Sequence, residues 1–270
     1  MDAEERFVLR QTLLLGGLAF ALLVLALLMS CTPRPRITSV NDYDSPIAAL
    51  EYEAAGSLSV FCLFPPLPES APPFDQVYAN MVGSPAHFSG SSVAVGPQYA
   101  LTARHVVDCD LDLPSGKILD GELLSAYLQT RHGGVYEMVV EAQGASRAED
   151  VALLIATDGA RPFKVWAQAA SREPAIDGLV CVAASAPRPS RRCGRVTEFR
   201  HGLDWMEGGY FVYDAGTTPG NSGSGVYNEH GYLVAIHVAG VGVSSPLGGG
   251  YGVSRWRWII PEIYADPMEW

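Results

Sequence analysis

Three residues that lie far apart in the sequence carry side chains suited to nucleophilic catalysis. His105 follows the apolar run YALT, Asp150 directly precedes the run VALLIA, and Ser222 lies in the glycine-rich stretch TTPGNSGSG. A serine hydroxyl is a weak nucleophile that needs a base within hydrogen-bond reach, and histidine is a base near neutral pH. A buried aspartate would fix the imidazole tautomer and stabilise the imidazolium. Each residue alone is weak evidence, but all three, each at the edge of a predicted strand, indicate a catalytic serine.

The glycines around Ser222 favour a site over a plain turn. Gly220 would let the loop fold tightly enough for the backbone N–H groups of Gly220 and Ser222 to converge, and such a pair binds a developing oxyanion. Gly223 is expected to keep side-chain bulk away from the nucleophile. A turn between two strands would have a similar composition, so the interpretation depends on the joint occurrence with His105 and Asp150.

The elements that must position these residues are short strands. About eleven short apolar runs are separated by turn signals, a pattern typical of all-β sandwiches and barrels. Eleven strands are too many for one small barrel, so we expect an all-β fold of two antiparallel β-barrels. The domain is placed at residues 55–270, with barrels at 55–165 and 175–260. The stretch SRWRWIIPEIYA near the end predicts a short C-terminal helix interrupted by Pro261.

Composition excludes some classes of function. The chain is 48% hydrophobic and 17% charged, as expected of a folded protein. Its formal net charge of −11 argues against nucleic-acid binding, which usually needs a basic patch. No Cys/His spacing is typical of a zinc site, and Asp108, Asp110 and Asp112 are interpreted as a solvated loop in preference to a cation site. No metal and no cofactor is expected.

Residues 1–31 predict membrane attachment by an N-terminal hydrophobic helix. The segment from Gln11 to Pro33 has no charged residue, and its apolar run is close to the ~20 residues that cross a bilayer as a helix. Its end, LMSC, resembles a bacterial lipobox that would leave Cys31 lipidated. A cleaved lipoprotein and an uncleaved transmembrane helix both stay open, and either would hold the protein at a membrane outside the cytoplasm. Residues 32–54 have the proline and polar content of a linker.

The cysteines other than Cys31 form an even set of four. Cys181 and Cys193 lie in what look like neighbouring strands of one hairpin, so Cys181–Cys193 together with Cys62–Cys109 is one of three pairings. Four buried thiols remain the alternative, because free cysteine packs well as a small hydrophobic residue.

Three blocks together resemble the chymotrypsin-like (trypsin-like) serine endopeptidases. These are HFSGSSVAVGPQYALTARHVV, EDVALL and TTPGNSGSGVYNEHGYLVAIHVAG, and the resemblance extends roughly over residues 57–260. It implies two antiparallel β-barrels with the active site between them and a protein or peptide as substrate. It also implies His105 as general base, Asp150 as orienting carboxylate and Ser222 as nucleophile.

Two departures separate the chain from the digestive enzymes of that family. Asn221 stands where those enzymes have the aspartate that pairs with a new N-terminus, so activation by that ion pair is not expected. Ser89 replaces a disulfide-bonded cysteine. The GNSGS form is similar to glutamyl endopeptidases, high-temperature-requirement proteases and certain viral proteases. TTPGNSG also matches the pattern of sobemovirus-type polyprotein proteases, so a viral polyprotein-processing role stays open.

The resemblance also suggests a specificity pocket. Thr217 and His237 occupy the places of a hydroxyl residue and a histidine that contact acidic substrates in glutamyl endopeptidases. Gly216 lies where trypsin has a carboxylate, so we expect cleavage after Glu, with Asp or Gln poorer. The run HVAGVG, which includes Gly240, is expected to pair with substrate as an added strand.

The competing interpretations are a catalytically inactive protease-fold binding or scaffold protein and an esterase with the same triad. Oligomeric state is not predicted.

Overall fold

A computed structural model describes residues 46–76, 78, 82–144, 149–200, 210–240 and 250–253. The chain divides into two compact units, residues 1–37 and 38–270, and every described residue belongs to the second. The predicted N-terminal hydrophobic helix, Cys31 and the predicted C-terminal helix lie outside the described residues. Within the described ranges, no helix is long and apolar enough to span a bilayer.

The first half of the domain forms a closed antiparallel barrel of six strands in the order β1-β2-β3-β8-β7-β6. A helical turn, α2 (Arg104–Val107), follows β3, and β4 (Asp110–Asp112) pairs with β5 (Ile118–Asp120) as a separate ribbon. The barrel strands are β1 (Ala55–Leu63), β2 (Pro85–Ala94), β3 (Tyr99–Thr102), β6 (Glu122–Thr130), β7 (Val135–Gln143) and β8 (Ala152–Ala156).

The second half forms another closed antiparallel barrel of six strands, in the order β10-β11-β14-β13-β12-β9. The predicted all-β fold of two antiparallel barrels is therefore confirmed. Its strands are β9 (Leu179–Ala184), β10 (Ser190–Arg200), β11 (Tyr210–Tyr213), β12 (Gly225–Asn228), β13 (Leu233–Gly240) and β14 (Gly250–Val253).

Alternating side chains fill the interior of the first barrel. Along β1, Leu58, Val60 and Cys62 are fully buried, while the residues between them are partly exposed. This is the period of two expected when one face of a strand packs on a core. Strand β8 is buried along its length except for Ile155, which is partly exposed, so it is apolar on both faces.

The described residues contain two disulfides, and they have the pairing that the sequence analysis names, Cys181–Cys193 with Cys62–Cys109. Cys181 and Cys193 lie directly opposite each other on β9 and β10 and are bonded to each other. Cys62 on β1 is bonded to Cys109, two residues after α2. The second bond therefore ties the segment that follows His105 to the wall of the first barrel.

Residues 46–53 are a helix, so the prediction of a linker up to residue 54 was wrong for this part. Helix α1 (Pro46–Glu53) begins with proline, which is favoured at the first helical position. Ala48, Glu51 and Tyr52 are buried against the barrels. The eight-residue sequence has no strong helical pattern, so this helix depends on tertiary packing.

Candidate active site

His105 projects from α2 directly after strand β3. The following Val106 and Val107 are buried, which anchors the helical turn on the first barrel. The His105 side chain itself is 49% exposed. The backbone of His105 is therefore anchored on the barrel, while its imidazole ring remains accessible to solvent.

Asp150 precedes β8, and β8 pairs with β3 in the register Thr102↔Ala152. This pairing brings Asp150 next to His105 although the two are 45 residues apart. His105 Nδ1 lies 2.6 Å from Asp150 Oδ2, and the His105 backbone N–H donates to Asp150 Oδ1 at 2.9 Å. Because a carboxylate accepts hydrogen bonds, Nδ1 carries the proton and Nε2 is left as the acceptor.

Ser222 lies in a loop made of two consecutive tight turns. Asn221 N–H donates to Thr218 O at 3.0 Å, and Ser224 N–H donates to Asn221 O at 3.0 Å. Gly220 has a φ of +92° and Gly223 a φ of +89°, values that fit the third position of type II turns. These two positions require glycine on backbone grounds.

The amide oxygen and the amide nitrogen of the Asn221 side chain both form hydrogen bonds within the domain. Its Oδ1 accepts from Thr218 N–H at 2.9 Å, and its Nδ2 donates to Ala186 O at 3.0 Å. The residue is 2% exposed. Neutral hydrogen bonds from within the described domain therefore hold this loop.

The backbone N–H groups of Gly220 and Ser222 donate to no acceptor within the described part of the chain. Backbone N–H groups in folded proteins rarely lack a partner. Two unpaired donors, separated by one residue in a tight turn beside a serine hydroxyl, are chemically able to accept an oxyanion.

A backbone hydrogen bond joins the Ser222 loop to the first barrel. Ser91 N–H on β2 donates to Ser222 O at 2.7 Å, and Gly223 N–H donates to His237 O at 2.8 Å. Among hydrogen bonds between described residues, none joins the Ser222 hydroxyl to the His105 ring. The loop therefore lies between the barrels, and in this structure the Ser222 hydroxyl is not hydrogen-bonded to His105.

A cavity of about 280 Å³ lies beside His105 and is bounded by both barrels. Burial raises the pKa of the Asp108 carboxyl, Arg104 opposes this, and Asp110 adds to it. In the described ranges, no group of three or more His, Cys, Asp or Glu side chains is placed so that it could hold a metal ion. The three aspartates predicted as a solvated loop thus line this cavity. Its lining residues are Arg104, His105, Asp108, Asp110, Asp112, Asp150, Val238 and Ala239.

Of the residues predicted for substrate binding, Thr217 directly precedes the Ser222 loop and His237 is joined to that loop by backbone hydrogen bonds, while Gly240 lies at the end of β13. Thr217 is partly exposed, Gly240 at the end of β13 is exposed, and His237 on β13 is only 2% exposed. His237 Nδ1 lies 2.6 Å from the hydroxyl of Tyr213, a fully buried residue.

Tyr213 was not predicted from the sequence, because its hydroxyl meets His237 only through the barrel fold. Burial raises the pKa of Tyr213 well above its ordinary 10.0, so it keeps its proton. No other acceptor for that proton is present among the described residues, so the hydroxyl donates to Nδ1. The neutral imidazole then carries its own proton on Nε2, which is a hydrogen-bond donor.

Comparison with known proteins agrees with this arrangement. The family model described as a trypsin-like peptidase domain matches residues 90–236, more than half of the chain. The Rv3671c protease of M. tuberculosis in an inactive form has a TM-score of 0.56 at 13% identity, covering 82% of this chain and 94% of that one. An HtrA-type protease, AlgW with a tripeptide, has a TM-score of 0.55 at 16% identity, covering 77% of this chain and 58% of that one.

At these sequence identities the solved structures support only a shared fold. The assignment to a family rests on the match to the family model. The predicted closeness to glutamyl endopeptidases and sobemovirus-type proteases stays a prediction. The chain belongs to the trypsin-like peptidase family and is a serine endopeptidase.

Proposed function

We propose that the chain hydrolyses peptide bonds through a triad of His105, Asp150 and Ser222 and an acyl-enzyme intermediate. The observation that carries this is the paired hydrogen bonding of Asp150 to the ring and the backbone of His105. It leaves Nε2 unprotonated, as a general base requires.

In the first step Ser222 Oγ attacks the substrate carbonyl while His105 Nε2 takes the hydroxyl proton. The oxyanion accepts hydrogen bonds from the N–H groups of Gly220 and Ser222, and Asp150 stabilises the imidazolium. The amine then leaves with the proton from His105, and water attacks the acyl-enzyme by the reverse sequence. Ser222 Oγ turns toward Nε2 when substrate binds, since catalytic hydrogen bonds are often long without substrate.

For specificity we propose cleavage after Glu, with Asp and Gln as poorer residues. Thr217 and His237 supply the hydrogen-bond donors, and Gly240 with the outer part of β13 pairs with the substrate backbone. The Tyr213–His237 hydrogen bond supports this because it holds a donor on Nε2. A carboxylate or amide oxygen suits such a donor, whereas an aliphatic side chain offers it no acceptor.

For location we propose tethering to a membrane by residues 1–31, outside the cytoplasm. The uncharged N-terminal run supports the tether, and two disulfides support an oxidising compartment. The intact mass of the membrane-extracted protein tests this. A mass that begins at a diacylated Cys31 identifies the lipoprotein, a mass that includes Met1 identifies the uncleaved helix, and recovery only in the soluble fraction contradicts tethering.

A fluorophosphonate probe tests the triad directly, because it reacts with an activated serine whatever the substrate. We expect labelling of the full-length protein and none in Ser222→Ala. Absence of labelling in the wild type would instead identify an inactive protease-fold protein. Digestion of a proteome-derived peptide library then tests specificity, and cuts mainly after Lys or Arg would contradict the proposed pocket.

A further inference from the structure

Ser91 on β2 is a fully buried serine whose hydroxyl reaches from the first barrel into the second. Its Oγ donates to Gly220 O at 3.0 Å, across 129 residues of sequence. The same oxygen accepts from the N–H groups of Ala186 at 3.1 Å and Ser185 at 3.3 Å. One hydroxyl therefore joins the turn that contains Gly220 to the end of β9.

The backbone of Ser91 adds two more contacts to the same region. Its N–H donates to Ser222 O at 2.7 Å, and its carbonyl accepts from Thr102 Oγ1 at 2.8 Å. The carbonyl groups of Gly220 and Ser222, which flank Asn221, are thus both fixed by one residue. Neither contact can reach substrate, because Ser91 has no exposed surface.

These contacts bear on the orientation of the oxyanion donors. The Gly220 N–H belongs to the central peptide of the Thr218–Asn221 turn, and type I and type II turns differ by a flip of that peptide. The hydrogen bond from Ser91 fixes the Gly220 carbonyl while the φ of Gly220 is +92°, and this favours the type II form of the turn. Oxyanion donors stabilise a transition state only when they are already oriented.

We propose that Ser91 is a positioning residue for the oxyanion hole, acting through the Gly220 carbonyl. This inference rests on the proposed function, because it assigns Ser91 a role in stabilising the tetrahedral intermediate. Loss of the hydroxyl allows the central peptide to flip and leaves the N–H groups of Ser185 and Ala186 without their acceptor. The ground-state peptide is bound elsewhere in the cleft, so its affinity is unaffected.

Ser92 provides a matched control. It is adjacent, equally buried, and its Oγ donates to Gly56 O at 3.3 Å inside the first barrel, away from the loop. Ser91→Ala and Ser92→Ala therefore remove the same buried atoms from neighbouring positions of one strand.

The test compares full-length wild type, Ser91→Ala, Ser92→Ala and Ser222→Ala. We measure the rate of fluorophosphonate labelling, and kcat and KM on the best-cleaved library peptide. We expect Ser91→Ala to lower kcat and the labelling rate by about 10- to 100-fold, somewhat less than loss of a donor itself, with KM within about threefold. Affinity for a peptidyl boronate should fall in parallel, while affinity for the product peptide stays unchanged. Ser92→Ala should keep wild-type kcat.

Equal kcat values for the two alanine variants, whether high or low, would overturn the proposal. So would a Ser91→Ala defect confined to KM. If Ser91→Ala does not fold, Ser91→Cys tests the proposal instead. Its thiol is similar in shape to the serine hydroxyl but donates a weaker hydrogen bond to the Gly220 carbonyl. An intermediate kcat with unchanged KM supports the proposal, and a wild-type kcat contradicts it. A wild type that neither labels nor cleaves would overturn the proposed function and this inference together.

Discussion

Gly223 of the Ser222 loop lies directly against the backbone of Ser91 on the other barrel. A Cβ on Gly223 would overlap the Ser91 carbonyl oxygen and the Thr102 hydroxyl. The sequence predicted that this glycine keeps side-chain bulk away from the nucleophile. The structure shows that the first barrel fills the space beside it, so close packing between the barrels requires glycine here in addition to the positive φ.

We expect Gly223→Ala to destabilise the protein by considerably more than the ~1–2 kcal/mol that a left-handed backbone alone costs an alanine. Urea denaturation measures the free energy of unfolding. Gly133→Ala is the control, because Gly133 also has a positive φ (+81°) but has open space around its Cβ direction. Equal losses in the two variants would show that the contact with Ser91 is unimportant.

Asp150→Asn should lower kcat by roughly 10⁴-fold, because the amide no longer selects the tautomer with an unprotonated Nε2. Stability should change little by comparison, since the side chain keeps its shape. Asp112→Asn removes the same charge from the same cavity at a residue on the separate β4–β5 ribbon. Steady-state kinetics on one peptide compare the two variants, and similar losses in both would mean that the charge of the cavity matters and the hydrogen bond does not.

Tyr213→Phe should reduce the preference for Glu over Leu before the cleaved bond by about fivefold. The lost hydrogen bond is worth about 1 kcal/mol, and without it the His237 proton moves freely between the two ring nitrogens. Ratios of kcat/KM on matched peptides measure the preference.

Tyr227→Phe is its control, because the Tyr227 hydroxyl is buried in the same barrel without a hydrogen-bond partner among the described residues. Its removal should leave the preference unchanged and stability equal or higher. A preference that survives in Tyr213→Phe would show that Tyr213 does not position His237.

The sequence predicted the parts of the site that have a local pattern. His105 and Asp150 each adjoin a clear apolar strand, and antiparallel pairing of those strands makes their contact follow. Ser91 and Tyr213 have no such signal, because their partners lie 129 and 24 residues away.

The apolar runs of the sequence did not predict β6 or α1, and the physical reason differs between the two. Strand β6, with the sequence ELLSAYLQT, contains mostly residues that favour helices and no β-branched residue before its last, so its pairing comes from the barrel. Helix α1 packs through Glu51, which pairs with Arg191 on β10, and through Tyr52, whose ring lies beneath the Arg131 guanidinium. Those partners cannot be read from eight residues.

Glu51 of α1 is 1% exposed and forms a two-pronged ion pair with Arg191 on β10. Arg191 Nε donates to Oε2 at 2.6 Å and Nη2 donates to Oε1 at 3.2 Å. Burial raises the pKa of Glu51 above its ordinary 4.5, and this outweighs the opposing effect of Arg191. The folded state therefore binds the Glu51 proton more tightly than the unfolded state does.

This sign determines the pH dependence of stability. Because the folded pKa is the higher one, the contribution of Glu51 to the free energy of unfolding is largest below pH 4.5. It decreases as the pH rises through the interval up to the raised pKa and is constant above it. Glu51→Gln should remove this part of the pH dependence.

At pH 7 the two partners should respond unequally to substitution. Arg191→Met leaves a buried carboxylate without its cation and should cost about 3–5 kcal/mol, part of which returns on acidification as Glu51 takes up a proton. Glu51→Gln should cost much less, because Arg191 is more exposed and also contacts Cys193 Sγ. Arg188→Met, at an exposed arginine, is the control for lost charge. Urea denaturation between pH 4.5 and 8 measures all three, and equal losses for Arg191→Met and Glu51→Gln at pH 7 would show that the buried carboxylate is not the source of the cost.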